Sequence, residues 1–173
     1  ERELDRWPSH TGPHALTSAD GMWTADTDCT ALAGGARRCS LVLTATDGRV
    51  RNMQFDIDLQ WSRAVQWSPT GHRLALLVSG EHGSRIAVLN DPDPAAGGPD
   101  FPQPEAPIDA PYVTAFSWAS DGQNIIAARA NGLGFALVRI DAEHGGEHVV
   151  AKLTEPANFL YPSPDRSMVA FTG

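Results

Sequence analysis

The stretch Trp67-Ser68-Pro69-Thr70-Gly71-His72-Arg73-Leu74-Ala75 runs from an aromatic residue through a turn into an apolar strand. Ser and Pro favour turns, and a closing Gly can take the positive φ that a tight turn needs. The phrase returns as Trp118-Ala119-Ser120-Asp121-Gly122 and as Pro162-Ser163-Pro164-Asp165-Arg166, with a weaker copy at Thr17-Ser18-Ala19-Asp20-Gly21. Between their last residues, Gly21, Gly71, Gly122 and Arg166, the copies lie 50, 51 and 44 residues apart. Self-similarity at this period, with a strand on either side of each phrase, is the mark of a repeat architecture. It predicts the radially arranged blades of a β-propeller.

The flanking residues give the blades their strands. Ahead of the phrase stand Ala64-Val65-Gln66-Trp67 and Val113-Thr114-Ala115-Phe116-Ser117-Trp118. Behind it come residues 73–78, 124–129 and 167–171, then Gly-rich turns at 80–83 and 130–134. Third strands follow at 85–89 and 135–140, and the Gly145-Gly146 turn leads to a fourth at 148–153. In the first copy the expected strands are 22–25, 39–44 and 50–55, the last two joined at Asp47-Gly48, a strong hairpin signal. No stretch keeps a helical period, so the chain reads as all-β, built from four-stranded antiparallel blades. Leu4-Asp5-Arg6-Trp7 reads as the end of a preceding blade. Residues 1–173 are therefore expected to form a single propeller segment of about three complete blades and two partial ones. An open ring exposes blade faces and edges, so this is expected to be part of a six- to eight-bladed ring.

On Trp67 to Ala75 and on Ser163-Pro164-Asp165-Arg166-Ser167-Met168-Val169-Ala170-Phe171 the chain resembles the TolB-like, WD-like propeller repeat. That repeat is typified by an aromatic residue, Ser-Pro-Asp-Gly, a basic residue and an apolar run. The first copy lacks the aromatic and the Pro, Thr70 stands where Asp is usual, and Arg166 where Gly is usual. The resemblance implies one of three settings: a periplasmic binding module, the accessory propeller of a prolyl-oligopeptidase-type serine peptidase with its catalytic domain elsewhere, or the sensor propeller of a membrane-bound regulator.

Bulk properties exclude other classes. The formal net charge is −8, and the longest basic run is Arg37-Arg38, which argues against a nucleic-acid surface. No apolar run is long enough for a membrane span, so direct membrane insertion is not expected. The chain opens on Glu1-Arg2-Glu3 without a signal-peptide pattern and reads as a mature or excised segment of a longer protein.

Cys29 and Cys39 are the only two cysteines and fall at facing ends of a predicted hairpin. The expectation is a disulfide, worth about 2–3 kcal/mol through loop closure, and with it an oxidising, extracytoplasmic compartment, periplasmic or secreted. Two free thiols in a cytosolic protein are the alternative. Residues 91–111 differ in kind: seven prolines and five acidic residues with no basic one. Proline cannot donate to a sheet ladder, so this should be an extended surface loop. Asp91, Asp93, Asp100, Phe101, Glu105 and Asp109 are its candidate partner-binding residues, for a protein or peptide; a tolerated insertion is the plainer reading.

Other candidates read as structural. His144-Gly145-Gly146-Glu147-His148 has the letters of an inverted zinc-peptidase motif, but that motif needs a helix, and this one sits between strands. His82 is a turn histidine. Asp20, Asp26, Asp28, Asp56 and Asp58 lack the spacing of a calcium loop and suit solvated strand edges. No nucleophile has a base at a recognisable spacing, so no catalytic residue, metal or cofactor is expected. Trp61, Trp67, Phe116, Trp118 and Tyr161 are expected to pack between neighbouring blades.

Overall fold

The structure is a computed structural model that describes residues 16–31, 37–55, 65–71, 73–80, 83–89, 112–163 and 168–172; at 27–31, 37–40, 51–55, 79–80 and 83 only the backbone is described. These residues form antiparallel sheets joined by turns, without a helix among them. The first sheet is β1 (Leu16–Thr17), β2 (Trp23–Ala31), β3 (Arg37–Ala45) and β4 (Val50–Phe55), paired in that order. The second holds β5 (Val65–Trp67), β6 (Leu74–Gly80) and β7 (Gly83–Leu89). The third runs from β8 (Val113–Trp118) through β9 (Asn124–Asn131) and β10 (Gly134–Asp141) to β11 (Glu147–Leu153). The fourth pairs β12 (Phe159–Pro162) with β13 (Val169–Thr172).

Each sheet is one blade, a meander in which every strand pairs with its sequence neighbour. The first strands of the blades, β1, β5, β8 and β12, touch one another in turn. They form the inner course, and the later strands lie progressively outward. The strand readings from sequence agree to within a residue or two, with one larger difference. The second strand of the first blade continues to Ala31 rather than ending at Ala25, and its partner begins at Arg37. The pairing holds a single register from Trp23↔Ala45 to Ala31↔Arg37, so the hairpin is longer than the apolar pattern suggested. Leu4 to Trp7, Trp61, His82, Asp56, Asp58, Arg166 and all of 91–111 lie outside the described residues.

The repeated phrase does the same work in every blade. The amides of Ser18, Ser68, Ala119 and Ser163 donate to the carbonyls of Trp23, Arg73, Asn124 and Met168 at 2.8, 2.8, 2.9 and 2.9 Å. Each bond spans five residues and clamps the turn between the first two strands. Gly21, Gly71 and Gly122 close it with φ of 73°, 71° and 63°, values that favour glycine because it has no Cβ to clash.

Packing between blades follows from the aromatic that opens the phrase. Trp67 Nε1 donates to the Leu16 carbonyl at 2.7 Å, and Trp118 Nε1 to the Gln66 carbonyl at 3.0 Å. Each indole thus reaches back onto the innermost strand of the preceding blade. Gln66 Nε2 reaches forward to the Phe116 carbonyl at 2.9 Å, and Thr114 Oγ1 to the Ala157 carbonyl at 2.7 Å. The apolar core fills the spaces between: Leu41, Leu43, Leu74, Leu76, Ile86, Trp118, Ile125 and Ile140 are essentially fully buried. One buried cluster spans the first three blades, and a smaller one around Ala115, Ala128, Leu137 and Leu160 joins the third to the fourth.

Candidate partner-binding rim

A four-stranded meander has two ends, and connectivity decides what gathers at each. The phrase turns lie at one end together with the β3–β4 hairpin at Asp47-Gly48 and the β10–β11 turn at Asp141 to Gly146. We call this the turn rim. The β2–β3, β6–β7 and β9–β10 hairpins lie toward the other end, as does the described link at 154–158 between the third blade and the fourth. That end is the link rim.

The turn rim is tied together. Asp20 Oδ1 accepts from Ser18 Oγ and from the Met22 amide at 2.7 and 3.1 Å. Asp121 Oδ1 accepts the Gln123 and Asn124 amides at 2.9 Å each, and its Oδ2 meets Arg139 at 2.9 Å. Neighbouring turns also hold each other. Arg73 Nη2 donates to the Gly122 carbonyl at 2.6 Å while its guanidinium lies over the Trp118 ring. Thr70 Oγ1 and Ser68 Oγ press on Gly122 so closely that an added Cβ would come within 1.9 Å and 2.7 Å of them.

Hydrogen bonds leave three turn-rim carboxyls below their usual pKa. For Asp47 the cause is the Arg49 amide, then the Arg49 side chain. At Asp141 it is the amides of His144 and Glu143. For Asp121, partial burial is the largest single influence and pushes upward, but the Gln123 and Asn124 amides, the Asn124 side chain and Arg139 together outweigh it. Such carboxylates are anchors for backbone amides.

The link rim is different. Leu133 stands at the tip of the β9–β10 hairpin, fully exposed at 110%. Tyr112, immediately before β8, is 53% exposed and has φ of 64°, the one positive φ among the described non-glycine residues. Its carbonyl accepts the Ala130 amide at 3.2 Å, which brings Tyr112 beside the tip of the same hairpin. β7 ends at the turn rim, since Leu89 pairs with Leu74 beside the phrase, whereas Tyr112 starts at the link rim. The end of β7 and the start of β8, between which Asp91, Asp93, Asp100, Phe101, Glu105 and Asp109 fall in sequence, therefore stand at opposite rims. Those six residues lie outside the described set, and composition alone singled them out. Tyr112 and Leu133 were missed because a lone exposed apolar residue has no periodic signature in sequence.

The remaining sequence candidates fall into ordinary positions. His144 sits in the β10–β11 turn near Asp141, His148 is exposed on β11, and Glu147 pairs with Arg129, so the motif's letters do not converge on a helix face. No group of three metal-ligating side chains gathers among the described residues. Phe116 and both described tryptophans of the aromatic series are buried between blades, whereas Tyr161 is exposed at 41% and meets Phe159 in a tilted ring contact. A crevice between the third and fourth blades, lined by Leu77, Thr114, Phe116 and Leu160 among others, has about 10 Å³ of room. That is space for one water at most.

No family model and no curated protein matches the chain. Among solved structures, the crystal structure of TolB from Acinetobacter baumannii is similar at a TM-score of 0.56 and 16% sequence identity, over 92% of this chain and 37% of that one. The fold is that of a TolB-like β-propeller. The chain spans little more than a third of the TolB structure, and at this identity the likeness concerns architecture alone. The sequence expectation of an all-β propeller built from antiparallel blades holds.

Proposed function

We propose that this TolB-like propeller segment is a non-catalytic, extracytoplasmic module that binds a protein or peptide at its link rim. The observation that carries the reading is the asymmetry of the two rims. On the turn rim the polar groups of the turns are largely bonded within their own turn, or, between the second and third blades, to the neighbouring one, and the exposed Met22, Val50 and Met168 stand singly, one or two to a blade. On the link rim, Leu133 and Tyr112 are offered to solvent beside the end of an acidic, proline-rich segment. A rigid scaffold that carries exposed apolar residues on its connections suits recognition. Positive φ at a bulky residue costs free energy, and such strain is retained where a position serves binding. The excess of carboxylates in 91–111 favours a partner with basic residues. The compartment is supported by the TolB-like resemblance and by the Cys29–Cys39 pair, which would be oxidised there.

Site-directed photocrosslinking from Leu133 and, as the opposite-rim control, from Val50 tests this in the protein's own cells. We expect a discrete protein adduct from residue 133, reduced when 91–111 is replaced by a Gly/Ser linker, and none from residue 50. Equal adducts from both rims, or adducts indifferent to the linker replacement, would refute the link rim as the binding surface.

A further inference from the structure

We propose that Cys29 and Cys39 form a cross-strand disulfide at a non-hydrogen-bonded position of the β2–β3 hairpin, closing the first blade at its link-rim end. Two features of the backbone, the second built on the first, lead there. The first is register, because Cys29 and Cys39 are direct Cα partners, with no bulge between them and the turn-rim end of the hairpin. The second is hydrogen-bond phase. In an antiparallel pair, directly opposed residues alternate between bonded and non-bonded positions. Thr46 N donates to the Met22 carbonyl at 3.0 Å, which makes Met22 and Thr46 a bonded pair one step before Trp23↔Ala45. The outer neighbours agree. Ser18 N donates to the Trp23 carbonyl at 2.8 Å and Ala45 N to the Arg49 carbonyl at 2.8 Å, so the odd-numbered residues of β2 and β3 turn their peptide groups away from the shared seam.

Counting on through the unbroken register makes Asp28↔Ser40 a bonded pair and Cys29↔Cys39 a non-bonded one. Opposed Cα atoms at a non-bonded position are about 4.5 Å apart, with Cβ atoms closer than at a bonded one. Disulfides span Cα separations of about 4.4–6.8 Å. The pair therefore meets the backbone requirement for a bridge without movement of either strand. A shift of one residue in either strand would place the two positions on opposite faces of the sheet.

The chemistry is thiol–disulfide exchange. The two cysteine thiols give up two protons and two electrons as the S–S bond forms. A donor disulfide, glutathione disulfide or that of a thiol oxidoreductase, takes them and leaves as two thiols. Closing so short a loop raises the folded-to-unfolded ratio about 100-fold in the chain-entropy account. The occurrence of the bond in the cell rests on the extracytoplasmic reading above, whereas its geometry rests on the hairpin alone.

The purified full chain is equilibrated in glutathione buffers from reducing to oxidising, then alkylated and weighed intact. The expected product is a monomer two hydrogens lighter, with no thiol alkylated until reduction and a folding constant about 100-fold above that of the reduced chain in urea. A double variant, Cys39→Ser with Ser40→Cys, moves one thiol by a single register step and is expected to yield glutathione adducts instead of a bridge. Free thiols, glutathione adducts or intermolecular dimers from the wild-type chain would overturn the inference, as would ready closure in the shifted variant. Closure in vitro with alkylatable thiols in cells would uphold the hairpin geometry and defeat the extracytoplasmic reading.

Discussion

Gly122 is the residue on which neighbouring turns press hardest. Its φ of 63° and the crowding of Thr70 and Ser68 are separate costs, and Gly132 separates them: it has the same φ of 63° with nothing near the place a Cβ would occupy. Gly132→Ala should cost about 1–2 kcal/mol from the left-handed backbone alone. Gly122→Ala should cost about 1–3 kcal/mol more, because the added methyl must displace Thr70 or part the two turns. Urea midpoints at constant m-value read both, and Thr70→Ala in the Gly122→Ala background should recover part of the difference. Equal losses at the two glycines would mean that the turns do not bear on each other. The indole nitrogens permit a similar comparison. Trp118→Phe removes the indole donor from a part-buried bond to the Gln66 carbonyl and should cost about 1 kcal/mol. A loss under about 0.5 kcal/mol would show that water replaces the indole there. The phrase was legible in sequence as a turn, and the tryptophans as core. Their pairing with a carbonyl some 50 residues earlier was not, because a bond to a backbone carbonyl leaves no trace in the identity of the accepting residue.

At the scale of single elements, strands and turns could be read closely because each blade alternates apolar residues in short runs between Gly, Asp and Pro. The exception is β2. Its sequence, Trp-Thr-Ala-Asp-Thr-Asp-Cys-Thr-Ala, keeps period-two alternation to Ala31, but past Ala25 the apolar positions hold Thr, Cys and Ala. Those are weak markers of a buried face, and the two aspartates look like a loop. Pairing with β3 carries the strand on: Val42 and Leu41 oppose Asp26 and Thr27, and the ladder continues without a register shift to Ala31↔Arg37, an effect of tertiary context on a marginal strand. The turns carry their own pH dependence. Asp47, Asp121 and Asp141 all have a folded pKa below the usual 3.8. A carboxyl depressed by folding stabilises the native state above its unfolded pKa, and that contribution is lost as the pH falls through the folded value. Stability should therefore be level in these groups from neutrality to about pH 5 and decline below about pH 4. Asp121→Asn should lower stability at pH 7 and make the decline between about pH 5 and 2 shallower than in the wild type, followed by thermal melts across that range. An unchanged slope would mean that Asp121 does not anchor its turn through its charge. Because all three groups are well exposed, salt should weaken the Arg139 contribution but leave the amide bonds to Asp121 largely intact.

For the whole molecule, the repeat placed the blades in order from sequence alone, yet the proposed binding surface emerged only from the fold. A repeat encodes what every blade shares, and recognition depends on what one blade has and the others lack. The acidic segment stood out by composition, while Tyr112 and Leu133 became visible only when connectivity brought a strand start and a hairpin tip to one rim. This difference between shared and singular residues separates stability from binding. Substitutions on the turn rim should cost stability, as argued for Gly122. At Tyr112 on the link rim a substitution should give the opposite sign. Tyr112→Gly removes the left-handed cost of a bulky residue, about 1–2 kcal/mol, against about 0.5–1 kcal/mol of added chain entropy. The variant should therefore be as stable as the wild type or more so, by up to about 1 kcal/mol. Its yield of crosslinked partner from residue 133 should nevertheless fall several-fold, because an aromatic anchor of the interface is gone. Denaturation and crosslinking on the same preparations decide the matter. A variant that is less stable by more than about 1 kcal/mol would make Tyr112 a packing residue. Undiminished crosslinking would remove it from the binding surface. Gain of stability together with loss of partner is the outcome that only a residue held under strain for recognition can produce.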